Sequence, residues 1–203
     1  MAAVSVVGYG IGNIGSISNM LRKLRIAAEI VTEPARIADC QRLLLPGIGA
    51  FDACMAGLES AGMRAPVMEF AASGRPLLGI CVGMQMLTHG SEEGELPGLG
   101  LIDAETQRFK PVADLRIPHM GWDTISWMQP QHPLAAGLVT DSRFYFVHSY
   151  KVTCRSAANS LADCVYGERF SAAIVAGNIA GVQFHPEKSH RFGLQLLSNF
   201  SNS

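Results

Sequence analysis

Leu77-Leu78-Gly79-Ile80-Cys81-Val82-Gly83-Met84-Gln85-Met86-Leu87 passes from an apolar strand directly into a helical period, with no polar loop between the two. Gly79-Ile80-Cys81-Val82-Gly83 has the form G-x-C-x-G, the cysteine counterpart of the nucleophile elbow. Small residues on either side permit a sharp strand-to-helix turn that lifts the middle side chain above the carboxyl end of a sheet. The helix that follows points its unpaired amides and positive dipole end at that side chain. Such a place stabilises negative charge on sulfur and makes the Val82 amide a donor for an oxyanion. A small buried core cysteine is the competing reading, since free Cys is among the most buried residue types.

Upstream, the same strand-then-helix pattern repeats. Val4–Val7 leads through a glycine-rich turn to Ile14, Ile17, Leu21 and Leu24 at helical spacing. Ala28–Val31 and Leu43–Leu45 follow, Pro46-Gly47-Ile48-Gly49 breaks the run, and Phe51, Met55 and Leu58 continue as a helix face. Uninterrupted apolar strands alternating with helices predict an α/β fold whose mostly parallel central sheet is flanked by helices. From Arg108 onward, closely spaced runs predict antiparallel strand additions in the C-terminal half, at Arg143–Tyr150, Leu161–Tyr166, Ala172–Ala176 and Ala180–Phe184. Phe192, Leu194, Leu197 and Phe200 predict a closing helix.

Composition limits what this fold can be for. The 203 residues carry 16 Lys+Arg and 17 Asp+Glu, a formal charge of −1, so no nucleic-acid or membrane partner is expected. With 48% hydrophobic and 16% charged residues, and no linker, repeat or low-complexity stretch, a single domain over residues 1–203 is the expectation. Five cysteines, Cys40, Cys54, Cys81, Cys154 and Cys164, show no C-x-x-C spacing, which argues against a disulfide framework or a cysteine zinc site. No basic n-region and no apolar run of membrane length is present, so a cytoplasmic location is expected.

A second chemical signal lies near the end of the chain, in Gly181-Val182-Gln183-Phe184-His185-Pro186-Glu187. Residues i and i+2 of an extended backbone share a face, so Glu187 can orient His185, and His185 can deprotonate a cysteine on a neighbouring strand top. Two rival chemistries compete with this triad. Gly10-Ile11-Gly12-Asn13-Ile14-Gly15 is a literal G-x-G-x-x-G after a strand and before a helix, with Glu33 about where a ribose-binding acid would stand, so a nucleotide-binding module remains open. The H-x-E of a zinc deaminase lacks its P-C-x-x-C partner, and His185 and His190 are not spaced as in H-E-x-x-H, so no metal is expected.

With elbow and His-Pro-Glu in place, the chain resembles the class I (triad) glutamine amidotransferases, most closely the glutaminase subunits of imidazole glycerol phosphate synthase. The resemblance rests on six ordered blocks: Gly8–Asn13, Leu45–Phe51, Leu78–Gln85, Pro118–Trp122, Phe146–Tyr150 and Gly181–Ser189. It implies Cys81 as nucleophile, His185 as general base and later acid, and Glu187 as the residue orienting it. Ile48, Gly49 and Val82 match the oxyanion hole, while Gly49, Gln85, Ser149 and Tyr150 match positions that bind glutamine. Asn13, His119, Met120, Gly121 and Trp122 match the face toward a synthase (cyclase) subunit, with which a heterodimer is implied; no cofactor is.

The resemblance further implies a glutamyl thioester and ammonia passed on without release to water. Gly15, Asp123 and Asp103-Ala104 depart from the usual pattern near the partner side. Gly15 and the Lys188–Gly193 ending are compatible with a paralogous branch that supplies ammonia for amidating a surface-polysaccharide sugar. A hydrolase of the same fold acting on another substrate is a further alternative.

Overall fold

The computed structural model describes residues 3–110, 115–138 and 141–203. Val4–Val7 (β1), Ala28–Val31 (β2), Leu43–Gly47 (β3) and Leu77–Cys81 (β4) alternate with helices Ile14–Lys23 (α1), Phe51–Ser60 (α2), Arg64–Ala72 (α3) and Val82–Met86 (α4). The second half holds Ala104–Arg108 (β5), His119–Thr124 (β6), Ser126–Trp127 (β7), Arg143–His148 (β8), Tyr150–Cys154 (β9), Ser160–Tyr166 (β10), Glu168–Ala176 (β11) and Ile179–Val182 (β12), and closes on His190–Asn202 (α5).

The ten-stranded sheet runs β2-β1-β3-β4-β12-β11-β10-β7, with β9 also on β11 and β5 on β9. From β2 to β12 every pair is parallel; from β12 to β7 every pair is antiparallel. The predicted α/β architecture with C-terminal antiparallel additions is therefore what forms. β1, β3 and β4 are buried along their whole length, consistent with a parallel sheet covered on both faces. Ile17 and Leu21 of α1, Phe51, Met55 and Leu58 of α2, and Leu196, Leu197 and Phe200 of α5 face this core.

Several boundaries differ from the sequence reading, and β11 begins at Glu168 rather than Ala172. Leu43–Gly47 carries strand pairing through Pro46 and Gly47, opposite Ile80 and Cys81, before the chain turns at Ile48. The predicted strand Arg143–Tyr150 is two strands, because the chain bends at Ser149. β8 leaves the main sheet to pair with β6, and β9 joins β5 and β11. The last strand stops at Val182 rather than Phe184. His185 stays extended, then Pro186 opens a 3₁₀ turn over Pro186–Lys188, the position where its fixed φ and missing N–H cost least.

Candidate functional site

β4 lies between β3 and β12, all parallel, so their carboxyl ends open on one edge of the sheet. Ligand sites of open α/β sheets lie outside such an edge. Cys81 ends β4 and starts α4 with φ 56° and ψ −114°, a strained elbow conformation uncommon outside glycine. Close packing explains the flanking glycines. A Cβ on Gly83 would stand 1.9 Å from the Leu45 carbonyl oxygen, and one on Gly79 would stand 2.5 Å from the Gly83 oxygen.

On the β12 side, Nδ1 of His185 lies 2.8 Å from Oε1 of Glu187. The two side chains meet through the 3₁₀ turn rather than along a continuous strand, which corrects the extended-backbone argument while keeping the pair. Ser189 fixes that turn: its hydroxyl donates to the His185 carbonyl (2.6 Å) and accepts from the Tyr145 N–H (2.9 Å). Both members of the pair are buried, at 3% and 1% side-chain exposure. Burial alone would lower the His185 pKa, but the nearness of Cys81 and the hydrogen bond and charge of Glu187 outweigh it and hold it up at about 10. Burial pushes Glu187 up, and the hydrogen bond and charge of His185 overcome this and leave it below the usual carboxylate value. Although Cys81 is near enough to shift His185, Nε2 makes no hydrogen bond among the described residues and so is free to exchange a proton.

A cavity of about 480 Å³ opens over these groups, lined by Ile48, Gly49, Cys81, Val82, Gln85 and His185, among others. Gly49 has φ +83°, a left-handed turn that carries the chain from β3 past the cavity into α2. Gln85 is 3% exposed; its Nε2 donates to Gln183 Oε1 (3.0 Å) and to the Tyr150 carbonyl (3.4 Å). Ser149 and Tyr150 line the same cavity, but their carbonyls are already engaged: Ser149 accepts from the Phe109 N–H (3.3 Å), Tyr150 from His148 Nδ1 (2.7 Å). Val82 begins α4 at the cavity floor, so its amide stands at a helix N-terminus.

The side chains expected to face a partner divide. Met120 and Trp122 are 60% and 44% exposed, and Trp122 stacks on His190 with ring centroids 5.2 Å apart. Gly121 sits between them on β6. His119 points inward instead: it is 2% exposed, its Nδ1 lies 3.0 Å from His148 Nε2, and it stacks on Phe146 and Tyr166. Strand alternation puts it on the face opposite Met120. Asn13 turns to the His185–Glu187 pair instead, donating from Nδ2 to Glu187 Oε1 at 3.3 Å.

That contact bears on the glycine-rich loop. A Cβ at Gly12 would come within 3.1 Å of the Pro46 ring, so the loop packs against the end of β3 and Asn13 reaches Glu187 from it.

Sequence reasoning missed Glu93, His148 and Gln183. Glu93 lines the cavity and accepts from the Phe51 N–H at 2.9 Å. Gln183 donates to Cys81 Sγ at 3.9 Å. Only Gln183 had a readable signal, its place two residues before His185. Among the described residues, no group of three or more His, Cys, Asp or Glu side chains is arranged to hold a metal, and no helix is long and apolar enough to cross a membrane.

Comparison with known proteins agrees with this geometry. Several solved structures share the fold at 18–21% identity: PurLQS from Thermotoga maritima (TM-score 0.75, 98% of this chain and 97% of that chain) is one, and a glutamine amidotransferase (TM-score 0.72, 98% and 98%) is another. Curated relatives are nearer. Imidazole glycerol phosphate synthase subunit HisH 2 from Methanococcus maripaludis and its namesake from Pseudomonas aeruginosa are each 44% identical, over 97% of this chain and 98% of theirs. Subunit HisH from Bdellovibrio bacteriovorus is 43% identical over 98% of both chains. The pattern of the family described as glutamine amidotransferase class-I matches residues 5–202, and the chain belongs to that family.

Proposed function

We propose that this protein is the glutaminase subunit of a two-protein amidotransferase, hydrolysing glutamine to glutamate and ammonia and passing the ammonia to a synthase subunit, that of imidazole glycerol phosphate synthase in histidine biosynthesis. The observation that carries the reading is the buried His185–Glu187 pair just past the end of the strand beside the Cys81 elbow, with the Ile48-Gly49 turn on the other side. In this reading His185, kept protonated by its raised pKa, already holds the proton given up by Cys81, and the sulfur attacks the side-chain amide carbon of glutamine. Negative charge on the carbonyl oxygen is met by main-chain amides at Val82 and the Ile48-Gly49 turn.

Protonated His185 then donates to the leaving nitrogen, releasing ammonia and leaving a thioester on Cys81. Water, deprotonated by the same histidine, cleaves the thioester to glutamate and restores the thiol. Glu187 fixes the imidazole with its proton on Nδ1. Gln85, Ser149 and Tyr150 hold the amino-acid end of the substrate, and the Glu93 carboxylate on the cavity wall supplies an acceptor for its ammonium.

Met120 and Trp122, exposed on the strand that pairs with cavity-lining Val147 and His148, support docking of the synthase as a heterodimer on this face. The family match over residues 5–202 supports one amidotransferase domain, and the free state of Cys40, Cys54, Cys81, Cys154 and Cys164 fits the reducing cytoplasm. Packing of Gly12 against Pro46 and the bond from Asn13 to Glu187 support a structural use of the Gly10–Gly15 loop over nucleotide binding.

Glutamate release with and without a synthase tests the proposal: Cys81→Ala should abolish it, and a Cys81→Ala protein that still hydrolyses glutamine would sink the mechanism. One observation favours a second reading of the acceptor. Two of the relatives bear the number 2, as a second copy in an organism would, which fits the paralogue serving polysaccharide sugar amidation. Stimulation by the histidine-pathway synthase, or by a polysaccharide synthase instead, separates the two.

A further inference from the structure

The Ile48-Gly49 turn is held from the core side by two donors that the reaction itself does not use. Tyr9, 6% exposed, sets its hydroxyl 2.6 Å from the Pro46 carbonyl oxygen. Its single proton is committed there, since Met86 Sδ, the other acceptor in reach, lies at 3.7 Å. Cys54, fully buried on the first turns of α2, sets its thiol 3.3 Å from the Ile48 carbonyl oxygen. Burial before all else pushes both the Tyr9 and the Cys54 pKa up, so each keeps its proton at neutral pH.

Peptide geometry converts this into a statement about the cavity. In a trans peptide the C=O and the following N–H point in opposite directions. With the Ile48 carbonyl turned to Cys54 on α2, the Gly49 N–H is turned away from α2. Gly49 lines the cavity beside Cys81, and its N–H makes no hydrogen bond among the described residues. A rotation of that peptide would take the amide from the cavity and leave the Ile48 oxygen without the thiol. The left-handed φ of Gly49 leaves such a rotation sterically open, so something other than sterics must hold the orientation.

We propose that Tyr9 and Cys54 are positioning residues of the reaction, a clamp that grips the Pro46 and Ile48 carbonyls from behind and keeps the Gly49 amide presented to the oxyanion. The proposal rests on reading the turn as the oxyanion site. It gives Tyr9, inside the glycine-rich block, a task distinct from nucleotide binding: Gly12 lets the loop pack on Pro46, and the tyrosine bonds that residue's carbonyl. Neither side chain lines the cavity, so both act through the main chain.

The test uses the full chain with its synthase and compares Tyr9→Phe, Cys54→Ala and Cys54→Ser with wild type. Removing one buried donor should lower kcat about tenfold, with KM for glutamine within about twofold, because the amide meets charge that develops only in the transition state. Cys54→Ser keeps a donor and should recover most of the Cys54→Ala loss. Alkylation of Cys81 by iodoacetamide forms no oxyanion, so its rate should match wild type in every variant. Wild-type kcat in both Tyr9→Phe and Cys54→Ala, or a parallel fall in alkylation, overturns the clamp.

Should Tyr9→Phe fail to fold, judged by its melting temperature, the Cys54→Ala and Cys54→Ser comparison decides alone. Wild-type protein that never releases glutamate, or does so equally as Cys81→Ala, defeats the glutaminase reading itself and the clamp with it. A wild type that is active only with Cys81 leaves the clamp to stand or fall on the Tyr9 and Cys54 variants.

Discussion

Gly83→Ala probes the tightest contact under the site. The added Cβ would lie 1.9 Å from the Leu45 oxygen, 2.9 Å from the Leu45 carbon and 3.2 Å from the Pro46 carbon, all main-chain atoms of β3 and none able to rotate aside. Reaching an ordinary contact of 3.4 Å requires α4 and β3 to separate by about 1.5 Å. β3 is held through Leu43–Gly47 to β4 and through Ser5 and Val6 to β1, so the strain spreads through the parallel sheet. Overpacking of this kind costs about 1–3 kcal/mol and more where only backbone can yield.

Any retreat of Leu45 and Pro46 also drags the Ile48-Gly49 turn away from Cys81. A displacement of about 1 Å in catalytic geometry costs on the order of 10²-fold in rate. Gly83→Ala should therefore lose at least about 2 kcal/mol of stability by urea unfolding, and any folded fraction should show kcat down roughly a hundredfold. A Gly83→Ala protein with wild-type unfolding midpoint and wild-type glutamine hydrolysis would refute the packing argument.

Gly15→Ala is the contrast: its added Cβ meets nothing within 4 Å and lies inside α1, so stability should rise by about 0.5–1 kcal/mol, and a loss measured by the same unfolding assay would contradict this. Glu187→Gln tests the buried pair through pH. The raised His185 pKa contributes stability that is complete below about 6.5 and lost as pH climbs toward about 10, while the lowered Glu187 pKa contributes stability lost on acidification below about 4.3. The melting-temperature gap between wild type and Glu187→Gln should thus be widest near pH 5–6 and narrow toward pH 10; a constant gap counts against the pair. Glu93→Gln keeps an acceptor for the Phe51 N–H but removes the cavity charge, so KM for glutamine should rise about tenfold with kcat nearly unchanged. Met120→Asp, on a side chain 60% exposed, should leave the melting temperature and unassisted glutaminase activity unaltered and weaken stimulation by the synthase, seen as a higher half-saturating synthase concentration.

Local residue patterns announced the parallel half of the fold and the elbow. The first strands are short apolar runs, and Gly79 and Gly83 are required by contacts within one strand-turn-helix unit and its neighbour β3, so the motif itself carries the geometry. His185 and Glu187 were legible as a pair because they are two apart, though Pro186 joins them by a turn that extended-strand reasoning did not supply. Non-local pairing hid the rest. Phe144-Tyr145-Phe146-Val147-His148 continues into Tyr150-Lys151-Val152 with nothing to mark the bend at Ser149, and only the choice of partner strand, β6 or β5, separates the two. The inward turn of His119 escapes the sequence because the phase of β6 depends on its register with β8, His119 opposite His148, which no local pattern encodes. Glu93 sits in an acidic loop that reads as solvated until α2 and the cavity are brought to it. Tyr9 and Pro46 are 37 positions apart, beyond the reach of any periodicity.

The insertion of β12 beside β4 has a consequence during synthesis. β4 emerges early, buried-to-be on every residue, yet its second neighbour, Ile179–Val182, follows roughly a hundred residues later, about 5–20 s at ordinary rates of translation. For that interval the growing chain displays an apolar strand with an open edge, the kind of template on which nascent chains aggregate. His185, the proposed general base, arrives on the same late segment, so a truncated or stalled product holds the cysteine without the histidine. Chaperone demand and the timing of catalytic competence are thereby tied to one late strand pairing.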